Sequence, residues 1–240
     1  MSPSGVLPFS VFREGYTSAV KLTDMSMRTT SGVGRTYRFY DDRNPLGPPL
    51  WPFGYGLSYS TFDVTWTGAG GRTAFCLDCS SSGGGGSSSK GSVEVIEKLS
   101  FTQTATVTNT GTVAAAKVVM VFLEEVTPRS MLHRGIDSRA VHNRAPNKSL
   151  FGMQKVFLQP GESKTLTFAA PLLPAYDDWC AFCTVTTEGV RVVAPGVYRL
   201  TVGDDGSSSS SSSTMSSAIE VELTSRAAKP IAAPLHAMVL

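Results

Sequence analysis

The feature that most constrains this 240-residue chain is a short segment rich in aromatic residues and glycine, WPFGYGLSYSTF (Trp51–Phe62). Gly54 and Gly56 permit backbone angles that other residues avoid, which predicts a specified turn rather than a slack linker. After Tyr59 apolar and polar residues alternate, as is typical of a half-buried β-strand. The segment therefore predicts a rigid corner where one structural unit ends and a β-rich unit begins.

Short strand-like segments separated by turn residues follow this corner. Alternation in FTQTATVTN (Phe101–Asn109) predicts a strand with apolar residues on one face and threonines on the other, and the nearly continuous apolar run KVVMVFLEE (Lys117–Glu125) predicts a central strand. Further strands are predicted at Met153–Leu158, Thr165–Ala169, Val190–Ala194, Val197–Gly203 and Ala218–Thr224. Roughly seven or eight short strands with turn signals between them are typical of an antiparallel sandwich.

The composition changes along the chain and predicts its division into parts. Residues 1–50 are apolar pieces interrupted by Gly and Pro, without sustained helical periodicity, and have too little apolar surface to fold without a body to pack against. Long runs of Ser and Gly are typical of disordered segments. The remaining predicted parts are a rigid corner at 51–58, a sandwich at 59–224 with a loop at 68–92 and disordered inserts near 80–92 and 206–217, and a disordered tail at 225–240.

Charge and hydropathy exclude some classes of partner. The net charge of +2 gives no argument for binding a nucleic acid. No apolar run reaches the length of a membrane span, and the N-terminus lacks the basic region and apolar core of a secretory signal. We therefore expect neither a nucleic-acid partner nor a membrane partner.

Several motifs in one order resemble the family 3 glycoside hydrolases. RTYRFY (Arg35–Tyr40) followed by PFGYGLSYSTF (Pro52–Phe62) is similar to the junction that, in those enzymes, joins an α/β domain to a C-terminal fibronectin type III-like domain. The resemblance implies an all-β, immunoglobulin/fibronectin III-like antiparallel sandwich, preceded by a fragment of an α/β domain. The other similar motifs are GVLPFSVFREGY (Gly5–Tyr16) and LTDMSMR (Leu22–Arg28) for plant-type β-xylosidase and α-arabinofuranosidase members, and VTNTG (Val107–Gly111), LFGMQKVFLQPGES (Leu150–Ser163) and PGVYRLTVG (Pro195–Gly203) for the fibronectin-like domain.

The resemblance implies a function as part of a larger enzyme. Such an enzyme acts on xylan- or arabinan-type cell-wall polysaccharides, outside the cell or in the cell wall, and its N-terminal glycosidase domains would be the missing partner of this chain. The family takes its nucleophilic aspartate from a barrel domain and its acid/base from the domain that follows, and neither motif occurs here. We therefore expect no catalytic residue and no catalysis by the chain alone. The alternative is a free-standing β-sandwich that binds carbohydrate or mediates adhesion.

Aromatic side chains of the corner are the candidate substrate contacts. Exposed aromatic faces stack on sugar rings, which makes Trp51 and Tyr55 candidates for binding polysaccharide, but packing that seals two domains together is the favoured interpretation. Carboxylates near the family motifs are interpreted as solvated loop residues, since a carboxylate outside a pocket has no raised pKa. These carboxylates are Glu14, Asp24, Asp41 and Asp42.

The four cysteines form two C-x-x-C pairs, Cys76/Cys79 and Cys180/Cys183. Two such pairs are able to close a tetrahedral zinc site, but zinc ribbons separate their pairs by roughly 15–20 residues. Here about 100 residues intervene. The alternative is disulfide bonding in a secreted protein. The family resemblance favours disulfides, because plant-type members have cysteines in comparable places, and the connectivity stays open.

The long loop at residues 126–148 carries the remaining candidate sites. His133, Asp137 and His142 are potential metal ligands, but their spacing fits no helical or hairpin face and favours a surface loop. The basic residues of this loop are interpreted as a solvated insertion rather than a site for an anionic polysaccharide. Asn147 opens an N-x-S sequon and is the candidate for N-glycosylation. We expect no bound metal and no cofactor.

Overall fold

Strands are the main regular element of the structure, a computed structural model. It describes residues 2–40, 42, 44–67, 73–76, 100–126, 146–171, 181–185, 191–193, 195–203, 218–224 and 231–232. Two single-turn helices, α1 (Tyr16–Ala19) and α2 (Thr36–Phe39), lie in residues 2–60, which we call the N-terminal segment. The described strands are β1 (Phe62–Trp66), β2 (Thr73–Cys76), β3 (Ser100–Asn109), β4 (Ala115–Glu125), β5 (Lys148–Leu158), β6 (Ser163–Pro171), β7 (Cys183–Val185), β8 (Arg191–Val193), β9 (Gly196–Gly203), β10 (Ala218–Thr224) and β11 (Ile231–Ala232).

The strands form two main sheets and a smaller third sheet. The first has the order β1-β3-β6, and both of its pairs are antiparallel. The second has the order β2-β10-β9-β4-β5 and is antiparallel except where β2 runs parallel to β10. The third, β11-β8-β7, is antiparallel. The prediction of an all-β, immunoglobulin/fibronectin III-like sandwich is confirmed at the level of fold class.

The main core lies between the two larger sheets. On β3 the predicted alternation holds, because Phe101, Ala105 and Val107 are buried while the threonines between them face outward. Val119 and Val121 of β4 enter the same cluster from the opposite sheet. Alternate residues of β5, β9 and β10 complete it, so two apolar sheet faces exclude water between them.

Four aromatic rings meet edge to face at the centre of this core. Phe101, Phe151, Phe182 and Tyr198 form contacts with ring centroids 5.3 to 6.2 Å apart. This is the arrangement that aromatic quadrupoles favour. Burial, and secondly the nearby carboxylate of Glu125, raises the pKa of Tyr198 well above its ordinary value, so the phenol stays protonated at neutral pH.

Strand β4 is buried on both of its faces. The inward face carries Val119 and Val121, and the outward face carries Val118, Met120 and Phe122, which are also at most 8% exposed. A second apolar cluster covers this outward face with side chains of the N-terminal segment: Val6, Tyr37 and Phe53. The near-continuous apolar run in the sequence is therefore explained by burial of both faces of the strand, one against the opposite sheet and the other against the N-terminal segment.

Asn109, at the end of β3, is a fully buried polar residue that joins three parts of the sandwich. Its Oδ1 accepts hydrogen bonds from Ser60 Oγ at 2.6 Å and Gly111 N at 3.0 Å. Its Nδ2 donates to Val113 O at 2.9 Å and Leu158 O at 3.2 Å. The side chain thereby connects the corner, the turn before β4 and the end of β5.

The two corner glycines serve different physical purposes. Gly54 has φ of 88°, the left-handed conformation that the sequence predicted. Gly56 is required for space instead, because a Cβ at this position would lie 2.4 Å from Gly5 O. The tight corner thus depends on the close approach of the chain at residue 5 as well as on backbone angles.

Three described strands lie where no strand is predicted from the sequence. Strand β2 lies in the predicted loop at 68–92, β7 was not predicted, and β11 lies in the tail predicted as disordered at 225–240. Each has at most four residues and pairs with a strand distant in sequence or with another short strand, so local alternation does not reveal it. The Ser- and Gly-rich inserts near 80–92 and 206–217 lie outside the described residues.

We predict that Asn109→Ala lowers the free energy of unfolding of the 240-residue chain by roughly 2–4 kcal/mol, because buried partners lose their hydrogen bonds. Urea denaturation monitored by tryptophan fluorescence measures the change. Thr108→Ala, which removes an exposed hydroxyl bonded to Ser163 at 2.7 Å, is the neighbouring control and should stay within about 0.5 kcal/mol of the unsubstituted chain. Equal effects of the two substitutions would contradict the role assigned to Asn109.

Candidate functional site

A short backbone ladder closes the N-terminal segment on itself. Leu7 N donates to Tyr55 O at 2.8 Å, and Gly54 N donates to Leu7 O at 2.9 Å. Val11 N donates to Trp51 O at 2.8 Å, and Trp51 N donates to Val11 O at 3.2 Å. These bonds fix the backbone of the corner, so its aromatic side chains project from a rigid support.

A small core of its own also stabilises the N-terminal segment. Val20, Val33 and Tyr40 are buried together. Beside them the ring of Phe12 stacks on Tyr16, with centroids 4.0 Å apart and planes inclined by 8°. The segment therefore contributes to its own packing, while Leu22 and Met25 on it stay 89% and 87% exposed. That the remainder of an α/β domain covers this segment stays a prediction.

Tyr37 and Phe53 join the N-terminal segment to the sandwich. Their rings stack with centroids 4.1 Å apart, and both meet the ring of Phe122 on β4 near edge to face, at 6.1 and 6.2 Å. The hydroxyl of Tyr37 also accepts a hydrogen bond from Leu150 N on β5 at 3.2 Å. This contact combines apolar burial with a directional bond, so it fixes both the position and the orientation of the segment.

The candidate polysaccharide contacts, Trp51 and Tyr55, lie side by side on the surface. Their ring centroids are 6.5 Å apart with planes inclined by 27°, and the residues are 44% and 38% exposed. Phe53, between them in sequence, points toward Phe122 instead. The corner therefore has an inner aromatic face that seals the fold and an outer one that is accessible.

Further large apolar side chains are exposed beside this pair. We call Leu50, Trp51, Tyr55, Leu57 and Tyr59 the corner set, in which Leu57 and Tyr59 are 68% and 75% exposed. A single exposed apolar side chain is ordinary in a folded protein. Five of them lie within ten consecutive residues, and this concentration makes the corner set the candidate interaction surface.

Asp24 anchors its own loop. Its carboxylate accepts hydrogen bonds from the main-chain N and the hydroxyl of both Ser26 and Thr30. The bond from the Ser26 hydroxyl, followed by those from the two main-chain N–H groups, holds the pKa of Asp24 well below its usual range. A general acid for glycoside hydrolysis needs a raised pKa, which is the opposite property.

The other predicted carboxylates are placed less specifically. Glu14 and Asp42 are exposed residues outside the regular elements, and Asp41 lies outside the described residues. Their exposure agrees with the interpretation as solvated loop residues.

Of the four cysteines, the structure describes the side chain of Cys183 alone. Cys183 begins β7 and is disulfide-bonded, so its sulfur is not a thiolate that could bind zinc. Cys76 ends β2, but its side chain is not described, and Cys79 and Cys180 lie outside the described residues. The pairing of the cysteines therefore stays a prediction.

The potential metal ligands belong to the long loop, for which the sequence favours surface residues over a metal site. His133, Asp137 and His142 lie outside the described residues, as does most of the basic loop. Within the described part of the chain, no cluster of three or more His, Cys, Asp or Glu side chains is suited to a metal ion. No described helix has the length and apolar composition that crossing a membrane requires.

Two asparagines matter to the structure in ways that the sequence did not indicate. The sequence predicts Asn109 as the last residue of a strand, and its buried side chain bonds Ser60, Val113 and Leu158. Asn147 was read as a glycosylation candidate, which stays a prediction, and it lies against helix α2. A signal was present for Asn109, since an asparagine between an apolar strand and a glycine favours local side-chain to main-chain bonding. No local signal links Asn147 to α2.

The chain is similar in sequence to part of several known glycosidases. The sequence profile of the fibronectin type III-like domain matches residues 137–206. An exo-1,4-beta-xylosidase of Emericella nidulans is 31% identical over 204 residues, which cover 84% of this chain and 22% of that protein. A beta-xylosidase/alpha-L-arabinofuranosidase of Medicago sativa subsp. varia is 32% identical over 211 residues, covering 85% of this chain and 24% of that protein. The chain thus spans about a quarter or less of the length of these relatives.

Solved structures agree on the fold. A GH3 exo-beta-xylosidase superposes with a TM-score of 0.63 at 23% identity, over 99% of this chain and 26% of that chain. A beta-glucosidase from Listeria innocua superposes with a TM-score of 0.57 at 25% identity, over 93% of this chain and 24% of that chain. The sequence matches and the shared architecture have one explanation: this chain corresponds to the C-terminal part of a family 3 glycoside hydrolase, with its fibronectin type III-like domain.

Proposed function

We propose that this chain is a non-catalytic accessory portion of a family 3 glycosidase that acts on xylan- or arabinan-type polysaccharides outside the cell or in the cell wall. In this proposal residues 1–50 complete the α/β domain, residues 51–58 form the corner, and residues 59–224 form the bracing sandwich. The corner set carries the proposal, because five exposed apolar side chains on a rigid backbone favour a protein partner. That partner is the glycosidase portion preceding the region that this chain matches.

The substrate class is inferred from relatives and from the chemistry of the corner. The matching proteins are described as exo-1,4-beta-xylosidases and as a beta-xylosidase/alpha-L-arabinofuranosidase. Catalysis in a retaining or inverting glycosidase needs two carboxyl groups at a fixed separation around the sugar. The lowered pKa of Asp24 does not suit it to act as the general acid of that pair. The catalytic carboxyls are therefore assigned to the partner domains.

Packing against those domains explains why the corner has one aromatic face that contacts the sandwich and another that is exposed. Phe53 on the inner face contacts Phe122, so the backbone that bears Trp51 and Tyr55 is held by the sandwich. Because this support is rigid, a domain that packs on the outer face is held in a fixed position relative to the sandwich. The chain would then orient two neighbouring domains without touching the reacting sugar.

A chimera tests this proposal. The last quarter of the Arabidopsis thaliana beta-D-xylosidase 1, the region that this chain matches over 212 residues at 30% identity, is replaced by this chain. We expect the chimera to hydrolyse an aryl xyloside and the isolated chain to release no product. Replacing Trp51, Leu57 and Tyr59 by serine should lower the melting temperature of the chimera by several degrees, because the interface loses apolar area.

The isolated chain provides the control for that chimera. The same three substitutions should leave its unfolding free energy within about 0.5 kcal/mol per site, since the side chains are exposed there. If the substitutions destabilise both proteins equally, or neither, the corner set is not the surface that meets the glycosidase domains.

Retention on insoluble xylan distinguishes the alternative function, a free-standing carbohydrate-binding or adhesion module. The near-parallel exposed rings of Trp51 and Tyr55 are the observation that favours this alternative. With packing as their role, we expect the isolated chain to elute with a non-binding reference protein. Specific retention that Trp51→Ala abolishes and Thr108→Ala leaves unchanged would instead establish polysaccharide binding.

We also propose that the four cysteines form two disulfides, in agreement with an extracellular location and with the bonded state of Cys183. Denatured, unreduced protein should therefore incorporate no iodoacetamide, and it should incorporate four equivalents after reduction, as measured by intact mass. A zinc site of four thiolates predicts the reverse: one metal ion per chain, and four equivalents incorporated without reduction once the metal is chelated.

A further inference from the structure

The side chain of Asn147 is fully engaged by the N-terminal segment. Its Nδ2 donates to Phe39 O at 3.0 Å and to Tyr40 O at 3.2 Å, which are carbonyls at the C-terminal end of helix α2. Its Oδ1 accepts a hydrogen bond from the Arg28 guanidinium at 3.2 Å. Its main-chain N donates to Arg38 O at 2.6 Å. Asn147 thus contacts four residues of the segment, and its Nδ2 bonds two of their carbonyls.

Neighbouring contacts hold the same two elements together. Leu150 N, three residues along the chain, donates to the hydroxyl of Tyr37 at 3.2 Å. The Arg28 guanidinium lies over the ring of Phe39, 5.4 Å from its centroid. The start of β5 and helix α2 are therefore joined by bonds on two sides of Asn147, which leaves its amide facing backbone rather than open solvent.

These bonds conflict with the modification that the sequon at Asn147 would accept. Transfer of an oligosaccharide from a polyprenyl diphosphate donor breaks the sugar–phosphate C–O bond and forms a C–N bond to Nδ2. The diphosphate leaves, and Nδ2 loses one proton. One of the two bonds to the α2 carbonyls is then lost, and the first sugar needs the space that Phe39 and Tyr40 occupy.

We propose that Asn147 is the polar latch that fixes helix α2 to the start of β5, and that docking of this helix and glycosylation of Asn147 exclude each other. The folded chain accordingly carries an unoccupied sequon. This inference is independent of the proposed function, because it concerns contacts within the 240 residues alone. A glycan on the folded protein would require α2 to be displaced from the sandwich.

The first experiment measures occupancy of the sequon. The chain is secreted from yeast behind a heterologous signal peptide, and its intact mass is compared before and after peptide N-glycosidase F. We expect no mass change for the unsubstituted chain. Gly161→Asn provides a matched positive control, because it creates an Asn-Glu-Ser sequon on an exposed turn where φ is 75° and no atom lies within 4 Å of an added Cβ. Asn tolerates that backbone conformation, so this variant should gain one glycan.

The second experiment measures the latch itself, on protein made in bacteria, where this modification is absent. Arg38 O is the carbonyl of the bond that trypsin would cleave before Phe39, and it accepts the main-chain bond from Asn147. Cleavage at Arg38 therefore requires α2 to detach. We expect Asn147→Ala to accelerate this cleavage about tenfold or more, since the α2 carbonyls lose their partner. Ser149→Ala, which removes the sequon and keeps the amide, should cleave at the unsubstituted rate.

Asn147→Asp keeps the experiment decisive if the alanine variant fails to fold. The aspartate retains the shape and the acceptor for Arg28 but has no N–H to donate, so it should also accelerate cleavage at Arg38. If Asn147→Asp and Ser149→Ala are cleaved at rates within twofold of each other, the amide of Asn147 does not fix α2 to the start of β5. The mutual exclusion of docking and glycosylation is wrong if secreted protein carries a glycan on Asn147 and trypsin still cleaves it at Arg38 as slowly as it cleaves Ser149→Ala.

Discussion

Covering the outward face of β4 with the N-terminal segment is the constraint on which the rest of the structure depends. Val118, Met120 and Phe122 are buried on a sheet face that would otherwise meet water. Tyr37 and Phe53 bury that face, and their stacked rings fix where the segment lies. Because Phe53 is held inward, its neighbours in the corner are directed outward. The position of the candidate interaction surface thus follows from the packing of one strand.

Much of the sandwich could be predicted because its signals are local. Alternation identified β1 and β3, and a continuous apolar run identified β4 as a central strand. What covers the second face of β4 was not predictable, since Tyr37 and Phe53 carry no local mark of a partner some 70 to 85 residues downstream. Short strands such as β2 and β11 were missed for a related reason, because their pairing is set by tertiary context.

The candidate site shows the same division between local and distant causes. The aromatic and glycine content of the corner made Trp51 and Tyr55 candidate contacts, but it did not indicate that they are exposed while Phe53 between them faces inward. Asn147 illustrates the limit of a motif: three residues define a sequon, but the hydrogen bonds of this side chain are determined by a helix more than 100 residues away. A polar residue is therefore interpreted securely only when its partners are known.

Hydrogen exchange of the 240-residue chain, resolved by mass spectrometry of peptides, tests the central claim most directly. If the N-terminal segment covers β4, amides of the ladder between residues 7–11 and 51–55 open together with the sandwich. The predicted result is protection of these peptides comparable with that of β3. Rapid exchange throughout the segment, with β3 still protected, would show that β4 is not covered by it and would contradict this account of the fold.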